Sequence, residues 1–330
     1  MTVRSDDAHC QEYCTFHYPP QDLPACSWYT QSNGLICMSN MLLGDSDYNS
    51  SIYLWNPLVQ KFKIIPDSPL FTSEFKPTKW STLAFGFLSE LDDYVVVHIV
   101  KPSSTSAPFL REERDDTYEQ YPHSVVIGVY SHNTSSWKKI HQDKVFVDFL
   151  NNHRSVFVNG TAFWVGCYYS SSLRQSVMYF DTKTNILGQV TVPDWIALHQ
   201  RQEEIPVILP FGQSIAYAVE VDQEDADEGD DEYGSPHLDI WVLKDDMVDE
   251  FSWEKKMSVG LSENVRAQVL GIRYTGEPIL AKSNNLISYD LDTHEPYDFV
   301  ESTPYTYHED SISPYTISPF LETLLLLDID

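Results

Sequence analysis

The chain has 330 residues and carries 21 basic against 49 acidic side chains, a formal charge of −28. Such an excess excludes nucleic-acid binding along the phosphate backbone and docking on anionic membrane surfaces, because both need clustered Lys and Arg. Apolar residues make up 42% and aromatic residues 13%, which supports a real core and excludes global disorder.

The N-terminus reads MTVRSDDAHCQEYC, with no apolar run after Arg4, so it is not a secretory signal. The longest aliphatic run, Leu324–Leu327, falls far short of the roughly 20 residues a membrane span needs. Cys10, Cys14, Cys26, Cys37 and Cys167 are odd in number and their spacing suggests no disulfide framework. The expectation is a reduced cytoplasmic or nuclear chain that is not secreted. Sequon-like triplets at Asn49, Asn133 and Asn159 carry no meaning in that compartment.

Along the chain, short β-branched and aromatic runs alternate with polar turns, which is the all-β pattern. Asn33-Gly34 precedes a strand at Leu35–Met38. Five paired segments follow one plan, a strand, a polar turn and a second strand: 52–56 with 61–66, 127–131 with 136–140, 177–181 with 187–193, 239–244 with 252–256, and 286–290 with 297–300. Further strands are expected at 94–100, 156–158, 162–165, 214–221 and 279–281. Asn-Gly at 33–34 and 159–160 supplies the positive φ angles of tight hairpins.

The residues entering the paired turns are Asn56, Ser131, Asp181, Lys244 and Asp290, separated by 75, 50, 63 and 46 positions. Removing a 24-residue insertion at 101–124 and a 15-residue insertion at 222–236 leaves 51, 50, 48 and 46. A period of this size marks propeller blades of about 40–50 residues. The fold expected for 1–330 is therefore one all-β propeller. It should have six four-stranded blades, with residues 1–20 and 301–330 sharing the last.

In such a meander the second-to-third-strand connections and those between blades emerge at one end. Both insertions should therefore project there, joined by 66–80 and 194–206. The partner surface predicted at that end comprises Phe71, Phe75 and Trp80; Arg111, Glu112, Arg114 and Tyr118; Trp195; and Asp225, Asp227, Asp230 and Asp231. The acidity should steer a basic protein partner. The run 222–232 holds eight carboxylates, but their removal leaves −20, so acidity is expected over the whole surface.

Little points to chemistry. The eleven His are scattered and no HExxH or CxxC pair occurs, so no metal, cofactor or catalytic site is predicted. His98 lies in an apolar strand and reads as a satisfied core histidine. Gly212-Gln-Ser214 half-matches a nucleophile elbow, but it opens a strand where an elbow needs a strand-to-helix turn. The run 222–232 lacks the Gly and Glu spacing of a calcium loop. Trp55, Trp137, Trp164, Trp241 and Trp253 fall at equivalent strand positions and read as blade packing. Trp28, Trp80 and Trp195 fall outside that register and read as exposed contacts.

Six stretches in order carry a family likeness: Ser32–Cys37; Ile52–Pro57 with Phe62 and Pro66; Gly86-Phe87 before Asp93–Val97; Val129-Tyr130 with Ser136-Trp137; Val158–Gly160 with Phe163-Trp164; and Asp239–Val242 with Ser252-Trp253. They resemble the plant F-box-associated domain, and most of all its S-locus F-box group, where an opening like Arg4–Tyr13 also occurs. The resemblance implies a kelch-like propeller that receives the target of an SCF-type ubiquitin ligase and has no catalytic site of its own. A separate helical F-box docks a Skp-type adaptor and, through it, a cullin. The first 30 residues show no Leu-Pro-rich stretch of that kind, so adaptor docking is expected only where an F-box is supplied. In the S-locus relatives the targets are pollen-tube ribonucleases, many of them basic. Two rival readings remain at this point: a propeller enzyme or lectin with residues converging at the channel mouth, and a non-functional truncated paralogue.

Overall fold

A computed structural model describes residues 2–4, 12–15, 26, 28–40, 51–70, 77–102, 123–145, 148–149, 155–169, 173–193, 196, 206–221, 237–244, 252–260, 267–273, 275–282, 285–290, 293 and 295–298. The chain divides into two compact units, one of Met1–Tyr18 with Pro193–Phe320 and one of Pro19–Val192 with Leu321–Asp330. At the N-terminus, β1 (Thr2–Arg4) pairs with β2 (Glu12–Thr15) as a two-stranded sheet.

The unit built on 19–192 holds three antiparallel sheets. The first is β3 (Trp28–Ser32), β4 (Leu35–Ser39), β5 (Ile52–Asn56) and β6 (Lys61–Ile64). The second is β7 (Pro77–Leu88), β8 (Asp93–Pro102), β9 (His123–Ser131) and β10 (Ser136–Val145). In the third, β11 (Asp148–Phe149) and β12 (Ser155–Val158) both pair with β13 (Thr161–Tyr169), followed by β14 (Leu173–Asp181) and β15 (Ile186–Thr191). The other unit holds β16 (Val207–Phe211), β17 (Ser214–Val221), β18 (His237–Lys244) and β19 (Ser252–Gly260). Its second sheet is β20 (Ala267–Ile272), β21 (Pro278–Lys282), β22 (Asn285–Tyr289) and β23 (Pro296–Asp298).

The four-stranded sheets are up-and-down meanders, and the third follows the same path from β12 to β15 with β11 added beside β13, the blade pattern of a β-propeller. The described residues form five blades rather than six. The ends supply no sixth among them: β1 and β2 have three and four residues and pair with each other, and 301–330 lies outside the described residues.

Alternation along the strands builds the core. In the second sheet Phe85 stands opposite Val96 and Ala84 opposite Val97. Phe85 and Val96 join Leu83, Tyr94 and Tyr130 against Trp28, Leu35, Leu54 and Ile65 of the first sheet's side. Ala84 and Val97 join Ile99 and Ile127 against Trp164, Met178 and Phe180 of the third. The second sheet is thus apolar on both faces, as a central blade must be. In the other unit, Ala216, Ile240 and Met257 meet Val269, Leu280 and Ile287.

The turns explain the repeat. Asn33 and Gly34 have φ of 46° and 82°, and Asn159 and Gly160 have 50° and 80°, the left-handed pair a two-residue hairpin requires. Asn56 Oδ1 accepts from Leu58 N–H at 3.0 Å, Asp181 Oδ1 from Lys183 N–H at 2.7 Å, and Asp290 Oδ1 from Thr293 N–H at 2.8 Å. Short polar side chains recur there because they cap their own turns. At Ser131 the cap is shared with the neighbouring strand: Ser131 Oγ accepts the Thr134 N–H at 3.3 Å, while Asp93 takes Ser131 Oγ–H at 2.6 Å and Asn133 N–H at 2.9 Å.

Two expectations about tryptophan are corrected. Trp28 is buried, 4% exposed, because β3 turns it toward Leu83 and Phe85. The packing set does not share one position: Trp164 lies in a second strand, Trp55 and Trp241 in third strands, and Trp137 and Trp253 in fourth strands. Of these, Trp137 and Trp253 are equivalent, paired with Tyr130 and Leu243.

Candidate recognition surface

Both insertions join a second strand to a third within one sheet. In the second sheet β8 ends at Pro102 and β9 begins at His123, with Val100 paired to Val126 just inside. In the fourth, Val221 pairs with His237 across the insertion itself. Each insertion thus leaves and returns across one inter-strand spacing, about 4.8 Å, and its length leaves the ladder intact. Phe71, Phe75, Arg111, Glu112, Arg114, Tyr118, Trp195, Asp225, Asp227, Asp230 and Asp231 lie outside the described residues. Trp80 does not belong to a connection, as expected from the sequence, but to β7, which begins at Pro77; its side chain lies outside the description.

Beneath the end of the second sheet lies a buried polar group that the sequence shows only in part. His98 is fully buried. Its Nδ1 is 2.9 Å from Ser68 Oγ and its Nε2 is 2.8 Å from Ser81 Oγ. Ser68 Oγ also accepts the Leu70 N–H at 3.3 Å. Leu70 is buried against Val100 and Val126. Gly128 makes room for this arrangement, since a methyl group there would meet Trp137 Cε3 at 3.1 Å and Leu70 Cδ1 at 3.5 Å. Trp137 Nε1–H in turn donates to the Pro66 carbonyl at 2.8 Å. The core reading of His98 from sequence stands, but Ser68, Leu70 and Gly128 gave no local signal, because their roles depend on strands distant in sequence.

The fourth sheet has its own polar cluster. Asp239 is buried and accepts from Lys255 Nζ at 2.7 Å and from Ser258 Oγ, with His237 Nε2 at 3.6 Å. A buried carboxylate needs such partners to be tolerated. Lys255 Nζ also lies 5.4 Å from the centre of the Trp241 ring. Nearby, hydrogen bonds from Lys244 at 2.6 Å and Lys256 at 2.9 Å lower the Glu254 carboxyl to about 2.

Charge is divided unevenly between the units. Residues 193–320 contain 27 acidic and 7 basic side chains, and residues 19–192 contain 16 and 13. The acidity therefore does not belong to the whole surface, as composition had suggested. It is concentrated in one unit, and the three lysines of the fourth sheet are each bonded to a carboxylate.

The Ser81–His98 contact has the length of a nucleophile–base pair, but its chemistry points elsewhere. The third member is a serine, the ring is sealed, and burial lowers the imidazole to about 3, too weak a base for work near neutrality. Gly212 has φ of 58° in the β16–β17 hairpin, and Ser214 Oγ–H donates to the Leu243 carbonyl at 2.6 Å. That serine ties β17 to β18. Among the described residues no three His, Cys, Asp or Glu side chains are placed to hold a metal ion, and no helix is long and apolar enough to cross a membrane.

The chain is similar to known proteins. The family model of the F-box associated beta propeller domain matches residues 16–294. An Arabidopsis thaliana F-box protein is 24% identical over 284 residues, covering 78% of this chain and 62% of the relative. An Arabidopsis thaliana F-box/kelch-repeat protein is 22% identical over 236 residues, covering 71% and 53%. The chain thus spans between half and two thirds of the curated relatives it matches. Among solved structures, puromycin hydrolase aligns at a TM-score of 0.45 and 8% identity, over 84% of this chain and 39% of that one. The β-propeller domain of the Trilobed protease from Pyrococcus furiosus aligns at 0.43 and 11%, over 84% and 85%.

Proposed function

The chain belongs to the F-box-associated β-propeller family, and on that premise we propose that it is a non-catalytic protein-recognition module, the target-receiving part of an SCF-type ubiquitin ligase. The observation that carries this reading is the placement of the insertions. Each is grafted onto the second-to-third-strand connection of a paired sheet, so loop sequence can change without disturbing the core, the usual arrangement of a recognition surface on a rigid scaffold. We read 1–330 as one such domain, acting in the cytoplasm or nucleus, with a Skp-type adaptor and cullin reached through a helical F-box.

The target is a basic protein, drawn by the acidic unit. Phe71, Phe75, Trp80, Arg111, Glu112, Arg114, Tyr118 and Trp195 would supply contacts, and Asp225, Asp227, Asp230 and Asp231 would supply attraction. The S-locus likeness makes a basic ribonuclease the first probe. Binding to it is measured by titration calorimetry at low and physiological salt. Deleting 101–124 should weaken binding. Changing the four aspartates to asparagine should also flatten its salt dependence. Unchanged affinity and salt slope after both changes would end this reading.

A further inference from the structure

We propose that His98 is a positioning residue for recognition: one buried imidazole ties the segment that leaves β6, at Ser68, to β7, at Ser81, and fixes it to the strands that carry the 101–124 insertion.

The geometry makes the case. The connection from β6 to β7 occupies 65–76, and β7 runs from Pro77. Ser68 stands near the start of this stretch and Ser81 is the fifth residue of β7, and both hydroxyls reach the same ring, at 2.9 and 2.8 Å. Leu70, two residues after Ser68, sits on Val100 and Val126. Those residues lie two positions before the end of β8 and three after the start of β9, so they are the stems of the insertion. Trp137 closes the other side by holding the Pro66 carbonyl. The whole assembly lies within one compact unit.

An aliphatic residue would fill the space as well as a histidine, so the polar choice needs a reason. A neutral imidazole can donate from one nitrogen and accept at the other. It can therefore bridge two hydroxyls on separate strands, which no aliphatic side chain does. Buried polar groups linked in this way fix a single arrangement, because any other leaves a donor or acceptor unpaired. The segment 65–70 and the strand ends that carry the insertion are then held in one arrangement, and a target that touches one is positioned against the other.

This inference rests on the recognition reading above, so its test has a readout independent of any target. Hydrogen exchange on the full chain is compared for wild type, His98→Leu and His98→Gln. In His98→Leu, the amides of Ser68, Leu70, 81–83, Val100 and Lys101 should exchange at least about tenfold faster, while those of β4 and β13 keep wild-type rates. His98→Gln offers an amide donor and acceptor and should restore most of the protection. Affinity for the basic ribonuclease should fall in His98→Leu through faster dissociation and recover in His98→Gln. Uniform acceleration throughout the unit, or no acceleration at the named amides, would overturn the inference, as would a Leu variant that behaves like Gln. If wild type itself fails to bind the ribonuclease, the target assignment fails, and the exchange pattern still decides the role of His98. Should His98→Leu not fold, the same comparison is made with Ser81→Ala and Ser68→Ala, each of which removes one hydroxyl and leaves the ring.

Discussion

Gly86 offers the sharpest test of how the second and third sheets fit together. It lies in β7 opposite Val95, and a methyl group built there would interpenetrate the Phe157 ring of β12, close to its attachment carbon. Gly86→Ala therefore forces the whole ring aside. Phe157 is half-buried and packs on the cluster formed by Ala84, Ile99 and Trp164. Overpacking of this kind costs about 1–3 kcal/mol. Losing part of the ring's burial adds about 1 kcal/mol, taking half of the ~1.5–3 kcal/mol for a full side chain. The expected loss is about 2–4 kcal/mol, a large fraction of a total stability of about 5–15 kcal/mol. Urea unfolding followed by tryptophan fluorescence measures it. Gly260→Ala is the control, since a methyl group there meets nothing within 4 Å, and should change stability by less than about 0.5 kcal/mol. Adding Phe157→Leu should recover much of the Gly86→Ala loss, with a coupling in the double-mutant cycle of about 1 kcal/mol or more. If Gly86→Ala is as benign as Gly260→Ala, the ring does not occupy that space and the packing argument is wrong.

Other outcomes follow from the same reasoning. Trp164 is fully buried and its indole N–H donates to the Leu83 carbonyl at 3.1 Å, so Trp164→Phe should cost about 2–4 kcal/mol in the same unfolding assay. His98 has its folded pKa lowered from 6.5 to about 3 by burial, so the unfolded chain takes up the proton first. Its contribution is complete above about pH 6.5 and is lost as pH falls toward 3, about 2 kcal/mol of it by pH 5. His98→Gln should show a shallower decline between pH 7 and 5 by that amount. Lys138 Nζ–H donates to Asn185 Oδ1 at 3.1 Å on the surface, so Lys138→Ala should change stability by less than about 1 kcal/mol. Asp239→Asn weakens the partner set of Lys255, Ser258 and His237 around a buried carboxylate and should lower the melting temperature, whereas Asp225→Asn should leave it unchanged.

Many strands were readable because they carry a local signature, whereas β1, β2, β7 and β16 were not among those expected. Ile52–Asn56 emerges with the bounds expected from the sequence, since an apolar run there ends in a side chain that caps its own turn. Asn33-Gly34 and Asn159-Gly160 announced their hairpins for the same reason. What sequence could not give depended on contacts between sheets. Trp28 looked peripheral because its neighbours Leu83 and Phe85 lie in the next blade. His98 could be placed in the core, but Ser68 and Ser81 could not be assigned to its two nitrogens. The concentration of charge in one unit became visible only once the boundary near 193 was known. Apart from Trp80 in β7, the contact residues proposed for recognition fall in long sequence stretches without hydrophobic periodicity, where no local rule fixes conformation.

The meander order of the blades also bears on how the chain assembles. Each of the five sheets is made of consecutive strands, so its ladder closes without waiting for distant sequence, and contacts of short range favour rapid folding. A nascent chain can complete a blade while the next is still being synthesised. The 24- and 15-residue insertions delay closure of two sheets only slightly, because each doubling of a loop adds about 0.6 kcal/mol of closure entropy. Vectorial synthesis therefore tolerates lengthening at the second-to-third-strand connection, and diversification can proceed there with little penalty to the yield of folded protein.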